Sequence, residues 1–264
     1  MGLFLITLTT DFGTRDPYVA EMKGVVLQLN PQATIVDISH HIDPQSVAQG
    51  AFVLGSAYRY FPRDTIHVAV VDPGVGTSRR AILLVSPDGL FLAPDNGLLT
   101  YVLRDSLEYQ AVVQDRQLLE PMDVPLPSGC AAYHLSNRSL WGNPVSDTFH
   151  GRDIFAPVAA HLSLGTLPEE VGEPVASLVC LCIPHPRQEG STLTGHVIHV
   201  DGFGNLITTI EGKALAQNRV EVLLKGRRIH GVSRSYAESA GLLAILGSHG
   251  NLEIAVRDGS AARE

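Results

Sequence analysis

Ionisable side chains stand beside short apolar runs of this sequence, where a buried segment gives way to a loop. Asp11 and Asp72 each follow such a run, Arg79 and Arg80 come shortly after Asp72, and His150 stands shortly before another run. A carboxylate and an imidazole within hydrogen-bond reach can position and deprotonate a water molecule, and a neighbouring guanidinium keeps a carboxylate ionised. If these groups converge, with one of the two arginines among them, they form a site for acid–base chemistry.

Asp72, and other polar residues that stand at predicted turns or helix starts, also have a purely structural interpretation. Asp72 begins a turn rich in proline and glycine and could simply cap it. Asp153 could cap a helix start, because the helix dipole favours a carboxylate there, and Arg152 could pair with it. The turn over 94–97 could lie beside the site, although the dipeptide at Asn96 most often marks only a turn, since glycine follows it. The residues alone leave these alternatives open.

The elements that must position these residues alternate between strand and helix. Apolar and β-branched runs predict strands, and apolar residues at helical spacing predict helices, with Asp16 and Asp43 as helix caps. The predicted elements are strands over 3–8, 34–38 and 66–71 and helices over 17–29 and 44–58. This order is typical of a parallel sheet with crossover helices, whose strands share one carboxyl edge where ligands bind.

The rest of the chain predicts a fold of the α/β class in two domains, a larger N-terminal α/β domain with a largely parallel sheet and a smaller C-terminal antiparallel β domain. A hairpin over 81–93, a helix over 98–103, a helical run over 154–162 and an irregular surface insertion over 114–130 complete the first domain. The domains are predicted over 1–184 and 191–264, with a linker at 185–190. Short strands predicted over 195–200, 206–210, 221–224, 242–246 and 252–256 suggest a small barrel or sandwich.

Composition and charge exclude several classes of protein. The net charge of −8, without a cluster of basic residues, argues against nucleic acid as a partner. Cys130, Cys180 and Cys182 have neither a disulfide framework nor zinc spacing, and they fit a reducing cytoplasm. The N-terminal apolar run is too short for a signal peptide or a membrane span. No phosphate loop, nucleophile elbow or HExxH pattern occurs, so no metal site is predicted.

Six ordered motifs resemble one known family. They are TTDFG at 9–13, VDPGVGTSRR at 71–80, PDNG at 94–97, TFHGRD at 148–153, DGFGN at 201–205 and GSHGNLE at 247–253. The chain closely resembles the S-adenosyl-L-methionine hydroxide adenosyltransferases, also called S-adenosylmethionine hydrolases, which are relatives of the fluorinases and chlorinases. The resemblance covers nearly the whole chain except the segment 114–130.

The resemblance implies a reaction and an assembly. The reaction converts S-adenosylmethionine and water into adenosine and methionine, without a metal or an organic cofactor. The assembly is a homotrimer, in which each site lies between the N-terminal domain of one subunit and the C-terminal domain of a neighbour. No nucleic-acid or membrane partner is implied.

The resemblance also implies roles for individual residues. The family's catalytic Asp-Arg-His set falls on Asp72, Arg79 and His150, and Arg79 is chosen over Arg80 by its place in the motif. The residues matching the family's substrate contacts are Asp11 for the ribose, Asn205 for the adenine, Asp201 for the methionine amino group, and Ser248, Glu253 and the backbone of Val256 at the C-terminal end of the site.

Two departures from the halogenases bear on the nucleophile and on substrate binding. The halogenases have tyrosine where Asp72 stands, and tyrosine and serine where His150 and Gly151 stand, and that serine helps to hold halide. A carboxylate in place of these groups indicates water as the nucleophile. His249 stands where the halogenases carry an arginine near the methionine carboxylate, so the anchor for that carboxylate is left open.

Three other functions are compatible with parts of this pattern. The first is a halide-using enzyme of the same family, which would form 5′-chloro-5′-deoxyadenosine from chloride. The second is a non-catalytic protein that binds adenosine or S-adenosylmethionine, although retention of the Asp-Arg-His set argues against it. The third is a metal-dependent hydrolase that uses the abundant Asp and His residues, which full activity in chelator would exclude.

Overall fold

The computed structural model describes residues 5–114, 116–215, 220–239 and 241–264. They form a mixed α/β N-terminal part and an antiparallel C-terminal part, which confirms the predicted fold class. The chain divides into two compact units, the first built from residues up to 115 and from 119–182, and the second from 116–118 and 183–264. Residues predicted as a linker therefore belong to the second unit, and Arg187–Glu189 among them form a strand.

A seven-stranded sheet is the framework of the first unit. The strands of this unit are, in chain order, β1 (Leu5–Thr10), β2 (Thr34–Ser39), β3 (Ile66–Val70), β4 (Ala81–Ser86), β5 (Gly89–Pro94), β6 (Pro121–Pro125), β7 (Ala131–His134), β8 (Glu173–Val175) and β9 (Ser177–Leu181). The sheet order is β2-β1-β3-β5-β4-β7-β8, and β6 pairs separately with β9. The strands from β2 to β5 are parallel, as predicted, and the pairs on the other side of β5 are antiparallel.

Helices cover both faces of this sheet. They are α1 (Tyr18–Leu29), α2 (Val47–Ala57), α3 (Thr100–Leu103), α4 (Leu107–Val112) and α5 (Ala156–Ser163). Val68 and Val70 of β3 pack in one apolar cluster with residues of α1 and α5. Ala69 and Val71 pack in the other cluster, with residues of α2 and α3. Burial on both faces explains why the run from Val68 to Val71 is continuously apolar rather than alternating.

Both predicted helix caps are wrong. Asp16 is not the cap of α1, because the helix begins at Tyr18 and Pro17 occupies the capping position with helical backbone angles. Asp43 is not the cap of α2, which begins at Val47 after Ser46. Gln45 has a φ of 66°, so the left-handed backbone there prevents the helix from beginning earlier. The first strand also runs beyond its predicted end, and predicted positions 3–4 lie outside the described residues.

The segment 114–130 was predicted as an irregular insertion, and this is wrong. It contains β6, which pairs with β9 in register from Pro121 opposite Leu181 to Pro125 opposite Ser177. Met122 and Val124 of this strand are buried. Prolines at both ends hide the strand in the sequence, although an edge strand tolerates them because half of its amide groups need no ladder partner.

The second unit is built from antiparallel strands. They are β10 (Arg187–Glu189), β11 (Thr192–Thr194), β12 (Val197–Val200), β13 (Leu206–Glu211), β14 (Glu221–Leu224), β15 (Arg227–His230), β16 (Leu242–Leu246) and β17 (Asn251–Val256). In the described part of this unit they form a four-stranded sheet, β12-β13-β17-β16, and two hairpins, rather than a closed barrel. Ile229, Leu252 and Ile254 lie at the centre of its core.

The helices of the described residues are short. The longest of them, α1, has 12 residues. None of them has the length and apolar composition that a membrane crossing requires.

Candidate active site

The carboxyl ends of β1 and β3 bring two predicted site residues to one edge of the sheet. These strands are parallel neighbours, and Thr10 pairs with Val70 at the end of their ladder. Asp11 follows Thr10 directly, and Asp72 follows Val70 with one residue between them. The register of two buried strands therefore places both carboxylates at the edge where ligands bind in open α/β sheets.

The turn after Asp72 packs tightly against the loop that leads to His150. Gly76 has a φ of 75°, and a Cβ atom on it would overlap the backbone oxygen of Asp147. Only glycine allows both this backbone conformation and this close approach. Gly76, which belongs to the motif at 71–80, thus lets two distant segments of the first unit come together.

Arg79 returns from this turn to the carboxylate of Asp72. Its Nε lies 3.0 Å from Oδ1 and 2.9 Å from Oδ2, and its Nη2 also donates to Oδ2. The side chains are only 11% and 5% exposed, respectively, and the guanidinium carbon lies 5.7 Å from the centre of the Phe155 ring. Because little solvent screens this pair, the guanidinium strongly stabilises the negative charge on Asp72.

His150 completes a chain of three side chains through the same guanidinium. Arg79 Nη2 lies 2.7 Å from His150 Nδ1. Arginine can only donate, so Nδ1 of a neutral imidazole accepts this hydrogen bond and the ring proton resides on Nε2. His150 directly precedes a π-helical turn over Gly151–Phe155, which leads into α5. Such turns often occur at functional sites.

The surroundings of His150 favour its neutral form. Burial lowers its pKa from the ordinary value, because it disfavours the charged imidazolium, and the positive charge of Arg79 lowers it further. The carboxylates of Asp72, Asp153 and Asp147 oppose this effect and raise the pKa. The net shift is downward, which agrees with the tautomer that the hydrogen bond to Arg79 requires.

Arg80 makes different contacts from Arg79. Its Nε donates to Oδ2 of Asp95 at 2.8 Å, and its Nη2 donates to the carbonyl oxygen of Ser177 at 3.1 Å. The two adjacent arginines, which the residues alone left as alternatives, are thus distinguished by their partners. Arg152 likewise pairs with Asp153 and Glu21, which is the structural interpretation considered for the segment after His150.

Asp11 is held by its neighbours beside the same aromatic cluster as His150. Its Oδ2 accepts from the backbone amide of Gln45 at 2.8 Å. The ring of Phe12 packs edge-on against Phe149 with 5.5 Å between centroids, and Tyr18 contacts both rings. Phe12 and Phe149 directly adjoin Asp11 and His150 in the chain, so this aromatic packing connects the loops that carry those two residues.

In the second unit, Asp201 and Asn205 are hydrogen-bonded to each other. Asp201 Oδ1 accepts from the amides of Phe203 and Asn205, each at 2.9 Å, and its Oδ2 accepts from Asn205 Nδ2 at 2.9 Å. This carboxylate therefore shapes its own turn, which presents a buried Asn205 at an open cleft of about 740 Å³. Val256 also lines this cleft.

Glu253 interacts electrostatically with this turn, and the pKa of its carboxyl group is raised. It is buried in β17, and burial followed by the negative charge of Asp201 raises its pKa, whereas His249 lowers it. Ser248 Oγ lies 3.5 Å from Nδ1 of His249. The structure thus brings Asp201, Glu253 and His249 into electrostatic contact within one unit.

Sequence analysis missed two aromatic residues of the cleft. Phe203 is 82% exposed, and Tyr236 is partly exposed beside it on the cleft wall. Burial and the charges of Glu253 and Asp201 raise the pKa of the Tyr236 hydroxyl. The sequence signal available for Phe203 was an aromatic residue inside the turn motif DGFGN. No pattern in the sequence marks Tyr236.

The described residues contain no group of three or more His, Cys, Asp or Glu side chains arranged to hold a metal ion. The chemically active groups that the structure places together are acid, base and hydrogen-bonding side chains. In the first unit these are the carboxylate, guanidinium and imidazole, and in the second unit they surround a cleft with aromatic and amide walls.

Comparison with known proteins gives consistent matches over most of the chain. The sequence profiles of the SAM hydroxide adenosyltransferase N-terminal and C-terminal domains match residues 6–172 and 195–264. An (R)-S-adenosyl-L-methionine hydrolase from Salinispora tropica is 39% identical, over 97% of this chain and 92% of that protein. The protein of the same name from Thermus thermophilus is 41% identical, over 96% and 91%.

A more distant sequence relative and a solved structure also match most of the chain. A fluorinase from Actinoplanes is 28% identical over 84% of this chain and 78% of its own length. The crystal structure of an uncharacterized conserved protein from Thermotoga maritima has a TM-score of 0.83 and 35% identity, over 98% of this chain and 94% of that chain.

Proposed function

Because this chain belongs to the SAM hydroxide adenosyltransferase family, we propose that it hydrolyses S-adenosyl-L-methionine to adenosine and L-methionine. The observation that carries the proposal is the contact of Asp72 and His150 with the same guanidinium. The similar proteins from Salinispora and Thermus are named for the (R) form of the substrate. We therefore propose the (R) sulfonium epimer as the substrate of this chain as well.

The reaction is a displacement at the 5′ carbon of the ribose. A lone pair of the water oxygen forms the new C–O bond, the C–S bond breaks, and its electron pair goes to sulfur, which becomes the neutral thioether of methionine. One proton leaves the water. The sulfonium is already a good leaving group, so the protein has to position the water and accept this proton.

Asp72 is the proposed base. A neutral His150 with its proton on Nε2 donates a hydrogen bond to the water and orients it. Its unprotonated nitrogen, Nδ1, already accepts from Arg79 and therefore does not take the proton of the water. Asp72 retains lone pairs beyond those used by Arg79, and a carboxylate accepts up to about four hydrogen bonds. Base assistance of this kind contributes roughly 10²–10⁴ in rate.

The substrate contacts are proposed from the family resemblance. Asp11 would bind the ribose hydroxyls and Asn205 the adenine, and Asp201 would lie near the methionine amino group. The remaining contacts would come from Ser248, Glu253 and the backbone of Val256. We propose a homotrimer, in which the N-terminal domain over 1–184 acts with the C-terminal domain over 191–264 of a neighbouring subunit.

Packing around Gly151 supports water rather than halide as the nucleophile. A Cβ atom at this position would lie 3.2 Å from Met22 Sδ, from Phe12 Cε2 and from Phe149 Cε2. These distances are tighter than ordinary contacts, so the serine that helps the halogenases to hold halide would crowd a buried methionine and two aromatic rings. Asp72 also adds a negative charge that repels an anion.

We propose that the enzyme needs neither a metal nor an organic cofactor and acts in the cytoplasm. The sulfonium charge already activates the carbon, which leaves no step that requires a Lewis acid. The free thiols of Cys130, Cys180 and Cys182 support a reducing compartment.

Product analysis tests these proposals together. The purified protein is incubated with S-adenosylmethionine in chelated, halide-free buffer, and the products are separated by chromatography. Equal amounts of adenosine and methionine are expected. Unchanged substrate together with tight adenosine binding would favour a non-catalytic binding protein instead. Formation of 5′-chloro-5′-deoxyadenosine after chloride is added would favour a halogenase.

A further inference from the structure

We propose that the turn at 94–97, and Asn96 above all, is a positioning element that sets the geometry of Asp72 and Arg79 for catalysis. This inference rests on the proposed function, because it assigns Asn96 a part in water activation. The sequence predicts only a turn that could lie beside the site. The side-chain hydrogen bonds of Asp95 and Asn96 go to Arg80, Val179, Val71 and Leu98.

Asn96 holds the chain immediately before Asp72. Its Nδ2 donates to the carbonyl oxygen of Val71 at 2.9 Å. The ladder between β3 and β5 is registered only as far as Val68 opposite Leu92. The Asn96 side chain thus supplies a hydrogen bond beyond the end of this ladder, on the carbonyl group of the peptide that leads into Asp72.

Asp95 holds the chain immediately after Arg79. Its backbone amide donates to the carbonyl oxygen of Arg80 at 2.9 Å, and its carboxylate binds the Arg80 side chain. Asp95 Oδ1 also accepts from the amide of Val179 at 2.8 Å, which ties the turn to β9. Adjacent residues of one turn therefore clamp both ends of the loop that carries Asp72 and Arg79.

The turn itself is rigid enough for this role. Asn96 Oδ1 accepts from the amide of Leu98 at 3.2 Å, and the amide of Asn96 donates to the carbonyl oxygen of Pro94. The Asp95 side chain is only 2% exposed. A displacement of about 1 Å at a catalytic group can cost on the order of 10²-fold in rate, so a clamp on the ends of this loop bears directly on turnover.

The chain offers a closely matched control at Asn137. Asn137 Nδ2 donates to the carbonyl oxygen of Glu170 at 2.8 Å, and its Oδ1 accepts from the amide of Ser139 at 3.2 Å. These are the same two kinds of hydrogen bond, in the same unit, and both asparagines are partly buried. Asn137→Ala removes bonds of both kinds, together with the acceptor of the Ser139 hydroxyl at 2.6 Å, without touching either end of the loop.

The experiment compares the full-length wild type, Asn96→Ala and Asn137→Ala with S-adenosylmethionine as substrate. For Asn96→Ala we expect kcat to fall about 10- to 100-fold with KM little changed, because geometry rather than binding is impaired. For Asn137→Ala we expect both constants to stay close to wild type. Equal kcat values for the two variants would overturn the proposal.

A second readout reports on the site without turnover. NMR titration of the His150 ring is expected to give a lowered pKa in the wild type and in Asn137→Ala. In Asn96→Ala the pKa should move back towards the ordinary value, because the loosened loop admits solvent and draws Arg79 away. An unchanged titration would overturn the positioning role, even if kcat fell through instability.

Two further measurements apply if Asn96→Ala does not fold or if the wild type is inactive. If Asn96→Ala does not fold, Asp95→Asn replaces it, since this variant keeps an acceptor for the Val179 amide and removes the charge that binds Arg80. The same losses are expected in weaker form, and wild-type kcat and titration would contradict the clamp. If the wild type forms no adenosine, the proposed function fails, and the His150 titration still decides whether Asn96 positions the three side chains.

Discussion

The Arg79 guanidinium donates to Nδ1 of His150 across 2.7 Å, although 71 residues of sequence separate the two. This contact determines what the imidazole can do. Its accepting nitrogen is occupied by a permanent cation, and its other nitrogen carries a proton that it can donate. This geometry agrees with the roles proposed in water activation, with Asp72 as acceptor and His150 as donor.

Removing the carboxylate should abolish turnover while leaving nucleoside binding intact. Asp72→Asn keeps the shape of the side chain and loses its charge, so we expect kcat to fall roughly 10²–10⁴-fold. Adenosine affinity, measured by calorimetry, should change little. Asp105→Asn is the control, because Asp105 forms an exposed pair with Arg59. A kcat near that of the wild type would exclude Asp72 as the base.

The pH dependence of kcat should report on His150. Its lowered pKa means that the neutral ring persists below the ordinary histidine value of about 6.5. We therefore expect a constant kcat through neutral pH and a decline only at more acidic pH, where protonation of Nδ1 breaks the bond to Arg79. His150→Gln should remove the part of this acid decline that belongs to the imidazole. An acid limb that is identical in the variant would show that another group causes it.

The nucleoside contact proposed for Asn205 is separable from catalysis. Asn205→Ala should weaken adenosine binding by about 1–2 kcal/mol, roughly 5- to 30-fold, with a smaller effect on kcat. Asn251→Ala is a matched control, because its Nδ2 donates to the carbonyl oxygen of Thr208 at 2.8 Å and it does not line the cleft. A defect confined to kcat would contradict the recognition role.

The crowding at Gly151 predicts that a serine there, as in the halogenases, destabilises the fold and does not produce a halogenase. Gly151→Ser should lower the free energy of unfolding by about 1–3 kcal/mol, because the new side chain meets Met22, Phe12 and Phe149. It should form no 5′-chloro-5′-deoxyadenosine in chloride. Gly24→Ser in α1, where a Cβ atom meets nothing within 4 Å, provides the stability control. Detectable chlorination by Gly151→Ser would show that the pocket adapts.

The parallel half of the fold was predictable because burial on both faces leaves a plain signal. The run that ends at Val71 is apolar throughout, and its neighbours in the chain alternate with helical patterns. The antiparallel half was harder to predict. Strand β6 begins and ends with proline, and more than fifty residues separate it from its partner β9. No local sequence pattern therefore predicts this pairing.

The same limit applies to the site. The register of β1 and β3 places Asp11 and Asp72 at one edge, and this could be inferred from strand order alone. The choice between Arg79 and Arg80 could not be made from the residues without the family resemblance, because it depends on Asp95 binding one of the two adjacent arginines. Tyr236 lies in a segment without a motif, and only packing brings it to the cleft.

A buried histidine far from the proposed chemistry should make the fold sensitive to acid. His67 is fully buried in β3, its Nδ1 is hydrogen-bonded to Thr7 Oγ1 at 2.8 Å, and it stacks on Phe91 with 4.8 Å between ring centroids. Among the described residues, its Nε2 has no hydrogen-bond partner. A second proton on this ring would therefore be buried without an acceptor.

Burial accordingly lowers the pKa of His67 to about 4. Between about pH 6.5 and pH 4, the imidazole binds a proton in the unfolded chain but not in the folded chain. The free energy of unfolding therefore decreases as the pH falls through this range. The loss should reach about 3 kcal/mol near pH 4, since one pKa unit corresponds to about 1.4 kcal/mol. Urea unfolding across the window measures it, and His67→Gln, which cannot titrate, should lose less stability on acidification by this amount. Parallel pH dependences in the two proteins would mean that His67 is accommodated as a cation in the folded state.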